Sequence, residues 1–368
     1  MASGAVSHIA LLLPELEAGG AQRAMLLLAR KFVDKGHRVD LVLLRATGPL
    51  LSVVPPAVRV VDLAKGRQSL AQSAFAIAST SRLMSWIRLE HPDALLSTIT
   101  GANLVALVAR RLARIPLRLV IREAAPVNRI GSRMRLVAMR WLYPQADAII
   151  ALTPTMAKDL VQHIGVSPTR IHCIPNPVDT AFVHEQARAP LAHAWLHEKC
   201  LPVIVSVGRL VPEKDFGTLL RAFSLLSQVF PARLVIVGEG PERATLEELT
   251  TRLGTADRVQ LIGFDLNPWR WIARADLFVL SSRSEGSPNA LIEALVLGVP
   301  SIVTEYDGSV RDLASRHHMS VVPTGKPETL ACAMEDMLRT PSNRKGVIAE
   351  DMTRAIGDYL AALACAGL

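Results

Sequence analysis

The chain has 368 residues, half of them hydrophobic and 20% charged, too long for one ordinary core and too apolar for a disordered chain. Aromatic residues amount to 4%, which disfavours nucleic-acid readers built on stacked bases. The net charge of +8 is uneven: residues 1–178 carry 22 Lys and Arg against 10 Asp and Glu, a net +12, and residues 179–368 carry 19 against 23, a net −4.

In chain order, the first half alternates apolar strands at 8–13, 38–44, 58–62, 94–97, 118–121 and 148–152 with helices at 20–35, 70–90, 102–114, 133–143 and 155–164. The uncharged stretch from Ala94 to Ala109 is short for a membrane span and holds Ser97, Thr98, Thr100 and Asn103, so a buried strand entering a helix explains it. Two prolines in Ile174-Pro175-Asn176-Pro177 suit an interdomain connection. The second half repeats the theme, with strands at 203–207, 233–237, 259–261, 277–280 and 301–304 and helices at 216–230, 241–253 and from Pro288. The stretch from Ser342 to Leu368 reads as helix. Apolar strands between helices give a parallel, doubly wound α/β sheet in each half, with ligands at the carboxyl ends of the strands. The expected division is 1–178, 179–345 and a C-terminal helix, 346–368, packing back on the first domain.

The four cysteines, Cys173, Cys200, Cys332 and Cys365, lie far apart with no CxxC. No basic n-region or cleavage site surrounds the first apolar run. A reduced, cytoplasmic location is therefore expected. The basic half suits anionic lipid or a polyanionic acceptor. Without a helix-turn-helix, zinc or RNA-binding signature, nucleic acid is not an expected partner. Arg129, Arg133 and Arg140 fall near one face of a helix whose Ile130, Met134, Val137 and Trp141 line another. Such a helix either lies on a membrane or packs on the core with a solvated basic edge.

The most informative segment runs from Ser284 to Pro300. Ser287 suits an N-cap and Pro288 the first helical position, while Gly298 and Pro300 stop the helix. A helix start with no acidic first turn is an anion site. Glu285 lies just before it, and Glu293 is the only charge within an apolar helix, where a buried carboxylate needs donors. Two carboxylates around a phosphate-ready helix end suggest a ligand with phosphate and hydroxyl groups, such as a sugar nucleotide. The plain alternative is a capped helix with one paired Glu.

Upstream, Gly208-Arg209-Leu210 leaves a strand, and Glu213-Lys214-Asp215 follows. Gly208 suits a tight turn, and Arg209 and Lys214 suit a diphosphate leaving group, unless they are plain surface cations. Val237-Gly238-Glu239-Gly240-Pro241 is a weak dinucleotide fingerprint, because Arg243 stands where a third glycine belongs. It reads as a turn on the wall of a nucleotide site, with Ile262 and Phe264 nearby. Gly19 and Gly20 at a helix entrance admit phosphate or sugar, or make a plain turn. His193, His197 and Cys200 have the spacing of a partial metal site but no clear fourth ligand, so no metal is expected. No Ser-His-Asp order or HExxH is visible.

Taken together, these motifs resemble the retaining glycosyltransferases with two Rossmann-like domains facing a cleft, the GT-B fold of family 4 or "group 1" type. The resemblance covers nearly the whole chain. Its most specific part is Glu285 with Glu293, followed by Gly208-Arg209-Leu210 with Glu213-Lys214; Gly19-Gly20, the turn from Gly238 to Pro241, and Pro175-Asn176-Pro177 match more loosely. The resemblance implies that Glu285 contacts donor-sugar hydroxyls, Glu293 the ribose, and Arg209 and Lys214 the diphosphate. Backbone N–H groups of Asn289 and Ala290 would help, beside Ser287 and Pro288. It implies no metal or other cofactor, a UDP-sugar donor rather than a GDP-sugar, and a lipid-linked or saccharide acceptor. The implied setting is surface-polysaccharide assembly, with peripheral attachment at the inner face of the plasma membrane. In Ile121-Arg122-Glu123-Ala124-Ala125-Pro126, where many relatives carry a His, Glu123 or Arg122 would face the sugar. Ser309 and Ser320 depart from glycines common in the family. A UDP-sugar epimerase and a non-catalytic partner subunit share the two-domain plan and stay open as alternatives.

Overall fold

A computed structural model describes residues 8–65, 72–127, 130–197, 200–307, 309–316, 319–340 and 352–364. The chain divides into two units, one of Met1–Pro177 with Asp351–Leu368 and one of Val178–Glu350.

The first unit holds a seven-stranded parallel sheet of β1 (His8–Leu13), β2 (Arg38–Leu43), β3 (Arg59–Asp62), β4 (Ala94–Thr98), β5 (Arg118–Glu123), β6 (Ala148–Ala151) and β7 (Ile171–Cys173), in the order β3-β2-β1-β4-β5-β6-β7. Its helices are α1 (Gly20–Asp34), α2 (Gln72–Glu90), α3 (Thr100–Ala113), α4 (Arg133–Leu142) and α5 (Pro154–Asp159). Strand β1 is buried along its whole length, as expected where helices cover both faces of a parallel sheet. In α1 the buried Met25, Leu28, Ala29 and Phe32 recur at helical spacing, which turns one face to the sheet.

The second unit opens with α6 (Thr180–Ala187) and the single turn α7 (Ala194–His197). Its six-stranded sheet comprises β8 (Val203–Val207), β9 (Arg233–Val237), β10 (Val259–Gly263), β11 (Leu277–Leu280), β12 (Ser301–Glu305) and β13 (Met319–Pro323), in the order β10-β9-β8-β11-β12-β13. Between and beyond them run α8 (Phe216–Val229), α9 (Arg243–Arg252), α10 (Trp269–Ile272), α11 (Asn289–Val296), α12 (Ser309–Arg316) and α13 (Pro327–Arg339). One core layer gathers Phe216, Leu219, Phe223 and Met334 from α8 and α13. The other gathers Trp271, Leu291 and Leu295 against the opposite face.

The last helix, α14 (Met352–Leu363), belongs to the first unit. Its Tyr359 hydroxyl accepts from Arg122 Nε at 3.0 Å and its Ala362 carbonyl from Arg118 Nε at 2.8 Å. Of the helix expected at 342–368, residues 342–351 and 365–368 lie outside the described residues.

Strands β7 and β13 had no counterpart in the sequence reading. Both are edge strands, and Ile171-His172-Cys173 is too short and too polar to stand out. The helix expected from Thr155 to Ile164 begins at Pro154 under a Thr153 cap and loosens into a π-turn at Leu160–Ile164, ended by the left-handed Gly165.

Candidate active site

Both sheets reverse strand order once, between β1 and β4 and between β8 and β11. Such a reversal opens a crevice at the carboxyl ends of the strands. In the second unit the loops after β8 and β11 flank it, and they carry the residues of greatest interest.

The loop after β8 lies backbone to backbone on the loop after β9. Gly208 N–H donates to the Val237 carbonyl at 3.1 Å, Leu210 N–H to Glu239 at 2.9 Å and Glu242 N–H to Leu210 at 3.0 Å. A Cβ at Gly238 would collide with the Gly208 carbonyl oxygen, and one at Gly240 with that of Leu210. These glycines therefore serve the contact between loops. The helix expected from Pro241 starts two residues later, at Arg243. The chain bends at Gly208 without a left-handed φ, and the missing side chain leaves room for the Lys214 stem, whose Cε lies 3.3 Å from where a Cβ would stand. Gly263, with φ +88°, accepts from Gly238 N–H at 2.8 Å, which sets the half-buried Ile262 and Phe264 beside this turn.

Several links join the loops after β8 and β11. Ser281 Oγ donates to the Lys214 carbonyl at 2.9 Å, Arg283 N–H to the Glu213 carbonyl at 2.9 Å, and Arg283 Nε to Asp215 Oδ2 at 2.8 Å. Asp215 also accepts from Thr218 N–H at 3.3 Å, capping α8. On this platform Lys214 Nζ donates to Glu285 Oε1 at 2.6 Å, and Ser282 Oγ donates to the same oxygen at 2.5 Å. Ser282 is itself held, since its carbonyl accepts from Thr304 Oγ1 at 2.5 Å. Glu285 is 9% exposed. Tyr306 stands close enough for the Glu285 charge to act on it, and burial first, then Glu285 and Asp307, push its phenol pKa up. It stays a neutral hydroxyl. Ser282 and Tyr306 were not picked from the sequence; the spacing of Ser282 three residues before Glu285 was the available signal.

Arg209 is exposed; its carbonyl accepts from Val211 N–H at 2.9 Å, while its guanidinium makes no hydrogen bond or ion pair among the described residues. Helix α11 begins at Asn289, with Pro288 as its cap at ψ 62° rather than as its first residue. Ser287 does not cap it: Ser287 Oγ meets Asn289 Oδ1 at 3.0 Å, and Asn289 N–H donates to the Ser287 carbonyl at 3.0 Å. The Asn289 backbone N–H is thus engaged, and that of Ala290 is the next candidate in a first turn without acidic residues. Glu293 is half-buried rather than buried.

In the first unit Gly19 caps α1 in an extended conformation, and a Cβ there would strike Gln22 Oε1; Gly20 is the first helical residue. Both follow β1, at the strand reversal. Glu123 ends β5 at 1% exposure. It accepts from the Tyr143 hydroxyl at 2.6 Å, Thr100 Oγ1 at 3.1 Å and Ala124 N–H at 3.2 Å. Burial raises its carboxyl pKa. Arg122, fully buried, donates to Thr98 Oγ1 at 2.7 Å, the Tyr359 hydroxyl and Asn176 Oδ1. Neighbours on a strand point to opposite faces, so the two have separate partners. Neither side chain is presented to solvent as a sugar contact would be. His193, from the weak metal spacing, pairs with Gln260 Oε1 at 2.6 Å and sits edge-on to Trp195 and Trp271. Among the described residues no helix is long and apolar enough to cross a membrane.

Two parallel sheets, each flanked by helices and each reversing strand order once, match the α/β fold of the GT-B glycosyltransferase structures. Family models match residues 18–182 (Glycosyltransferase Family 4) and 192–351 (Glycosyl transferases group 1). The chain belongs to this family 4, group 1 set of glycosyltransferases. It is 30% identical over 260 residues, 69% of each chain, to the Campylobacter jejuni N-acetylgalactosamine-N,N'-diacetylbacillosaminyl-diphospho-undecaprenol 4-alpha-N-acetylgalactosaminyltransferase. It is 25% identical to LpsE, a lipopolysaccharide core biosynthesis glycosyltransferase of Rhizobium meliloti, over 93% of this chain and 92% of that one. Among solved structures, Anabaena HepE in complex with UDP and glucose superposes with a TM-score of 0.76 at 20% identity, over 97% of this chain and 93% of that one. That likeness speaks for the fold.

Proposed function

We propose that the protein transfers a hexose or N-acetylhexosamine from a UDP-sugar, rather than a GDP-sugar, to a lipid-linked or saccharide acceptor in surface-polysaccharide assembly. The anomeric configuration is retained. The observation that carries this reading is the Glu285 carboxylate, tethered through one oxygen by Lys214 and Ser282 at the strand reversal of the second unit. Its other oxygen is then free to accept from sugar hydroxyls beside the reacting carbon. Arg209, exposed and unengaged, and Lys214 hold the diphosphate, and Ala290 N–H adds a backbone donor. Glu293 takes the ribose hydroxyls, and Ile262 and Phe264 wall the base. As the glycosidic C–O bond to phosphate breaks, these cations and dipoles stabilise the departing diphosphate without a metal ion. The acceptor oxygen attacks from the same face, and the donor phosphate oxygen takes its proton. Residues 1–178 bind the acceptor. Glu123, enclosed and hydrogen-bonded, acts there as a positioning group for the loop after β5. The names of the Campylobacter and Rhizobium relatives support a polysaccharide setting and a lipid-linked acceptor.

Calorimetric titration with UDP-glucose, UDP-galactose, UDP-N-acetylhexosamines and GDP-mannose, with EDTA present, tests this reading. One UDP-sugar should bind without metal. A chain that binds GDP-mannose alone would reverse the base assignment, and a strict metal requirement would reverse the role given to Arg209 and Lys214.

A further inference from the structure

We propose that Arg122 is a positioning residue for the transfer step, because its single guanidinium anchors both passages of the chain between the two units. The chain passes at Pro177–Val178 and again at Glu350–Asp351. Arg122, near the carboxyl end of β5, is fully buried and makes no ion pair among the described residues. Its three nitrogens reach three separate segments. Nη1 donates to Thr98 Oγ1 at 2.7 Å, at the end of β4. Nη2 donates to Asn176 Oδ1, next to the first passage. Nε donates to the Tyr359 hydroxyl at 3.0 Å, on the helix that follows the second. A buried cation that faces only neutral acceptors is destabilising, and an apolar residue would fill the same space more favourably. What the guanidinium adds is a rigid planar fork that fixes three segments together.

The first passage is short and held on both sides. Ile174 N–H donates to the Ala151 carbonyl at 2.9 Å, which lays the segment along β6. Pro175 and Pro177 fix φ on either side of Asn176. Beyond them Val178 packs in a cluster with Val183, Trp269 and Val296. Asp179 then caps α6, accepting from Phe182 N–H at 3.0 Å. Val296 belongs to α11, whose first turn carries the Ala290 N–H. One proline therefore separates a residue held by Arg122 from a residue packed on α11.

The second passage is anchored on the same face of β5. Arg118 and Arg122 lie four apart on the strand and so point the same way. They meet α14 at the Ala362 carbonyl and at the Tyr359 hydroxyl. Arg118 holds α14 alone, whereas Arg122 holds α14 and Asn176 together. Release of Asn176 leaves the core of each unit and the Glu285 platform intact, and loosens the short arm that leads to α11. The effect then falls on transfer, which needs both units, rather than on donor binding, which needs the second. The assignment rests on the proposed transferase reading for its rate measurement only.

Initial rates and donor titration on the full chain test this. Asn176→Ala should lower kcat about tenfold and Tyr359→Phe about threefold or more, with donor Kd within about twofold in both. Asn176→Asp keeps an oxygen acceptor for the guanidinium and should restore most of the rate. Arg118→Ala should leave kcat within about twofold. A second readout does not depend on catalysis. Spin labels at Ser85 and Gln228, exposed on α2 and α8, are placed in a chain whose cysteines are changed to serine. Their distance distribution should broaden in Asn176→Ala and Tyr359→Phe but not in Arg118→Ala. Absence of transfer in the wild type would count against the transferase reading, and the label distances alone would then decide on Arg122. Unbroadened distances, a loss of kcat matched by Arg118→Ala, or donor binding that falls in step with kcat would each overturn the assignment.

Discussion

Lys214 and Ser282 both donate to the same oxygen of Glu285, and that asymmetry decides how the carboxylate can act. A hydrogen bond to a charged group contributes about 1.5–3 kcal/mol, so Ser282→Ala should lower kcat roughly tenfold or more while leaving the donor KM within about threefold. An equal change in both would make Ser282 a donor-binding group instead. Removal of Lys214 strips the same oxygen of its cation and the diphosphate of a partner, so Lys214→Ala should weaken both donor binding and turnover, read by titration and initial rates. Glu123 gives a separate prediction in pH. Its carboxyl pKa is raised in the folded state, chiefly by burial, so the folded chain holds a proton that the unfolded chain releases. The stabilisation is present below the ordinary carboxylate range and is lost as pH rises through the elevated folded value. Urea unfolding from pH 4 to 8 should show Glu123→Gln gaining on the wild type as pH rises, by up to about 1.4 kcal/mol per pH unit inside that window. Parallel curves would contradict the burial of a protonated Glu123.

At the scale of the element, the site depends on loops that touch through bare backbone. Gly238→Ala places a methyl group against the Gly208 carbonyl oxygen. No flexible side chain can yield there, so the substitution should cost about 1–3 kcal/mol or more in chemical denaturation. Gly208→Ala meets the flexible Lys214 stem and should cost less stability while disturbing the lysine. Equal stability losses would show that the loops can part. A long apolar strand such as β1 was legible because both faces are covered and the run is continuous, whereas β5 was read only to Ile121 because Arg122 and Glu123 are charged. β7 and β13 escaped because an edge strand needs no such run. The start of α11 was misplaced by one residue: Ser287 and Pro288 have the chemistry of a cap and a first residue, yet Pro288 takes ψ 62° and passes the start to Asn289. Cap choice depends on how the preceding loop arrives, which periodicity does not encode.

At the scale of the whole chain, charge and topology separate the duties. The two strand reversals follow from the repeated alternation of strand and helix, which composition and spacing showed. The cations, glycines and carboxylates of the second unit were found because they cluster in short stretches after strands. What was not legible is pairing across distance. That Lys214 would reach Glu285, 71 residues on, and that Arg122 would be enclosed by Thr98, Asn176 and Tyr359, depends on which loops the sheet order brings together. The fate of Met134 and Trp141 was likewise open between core and surface until the packing of Met139 settled which side of α4 faces inward.

The most direct measurement is donor binding and donor turnover, side by side and with EDTA, in the wild type and in Glu285→Gln. The amide keeps the shape of the side chain and removes its charge. Donor affinity should stay within about threefold, while turnover falls by about 10²-fold or more. Turnover equal to that of the wild type would contradict a catalytic role for Glu285 and for the platform that holds it.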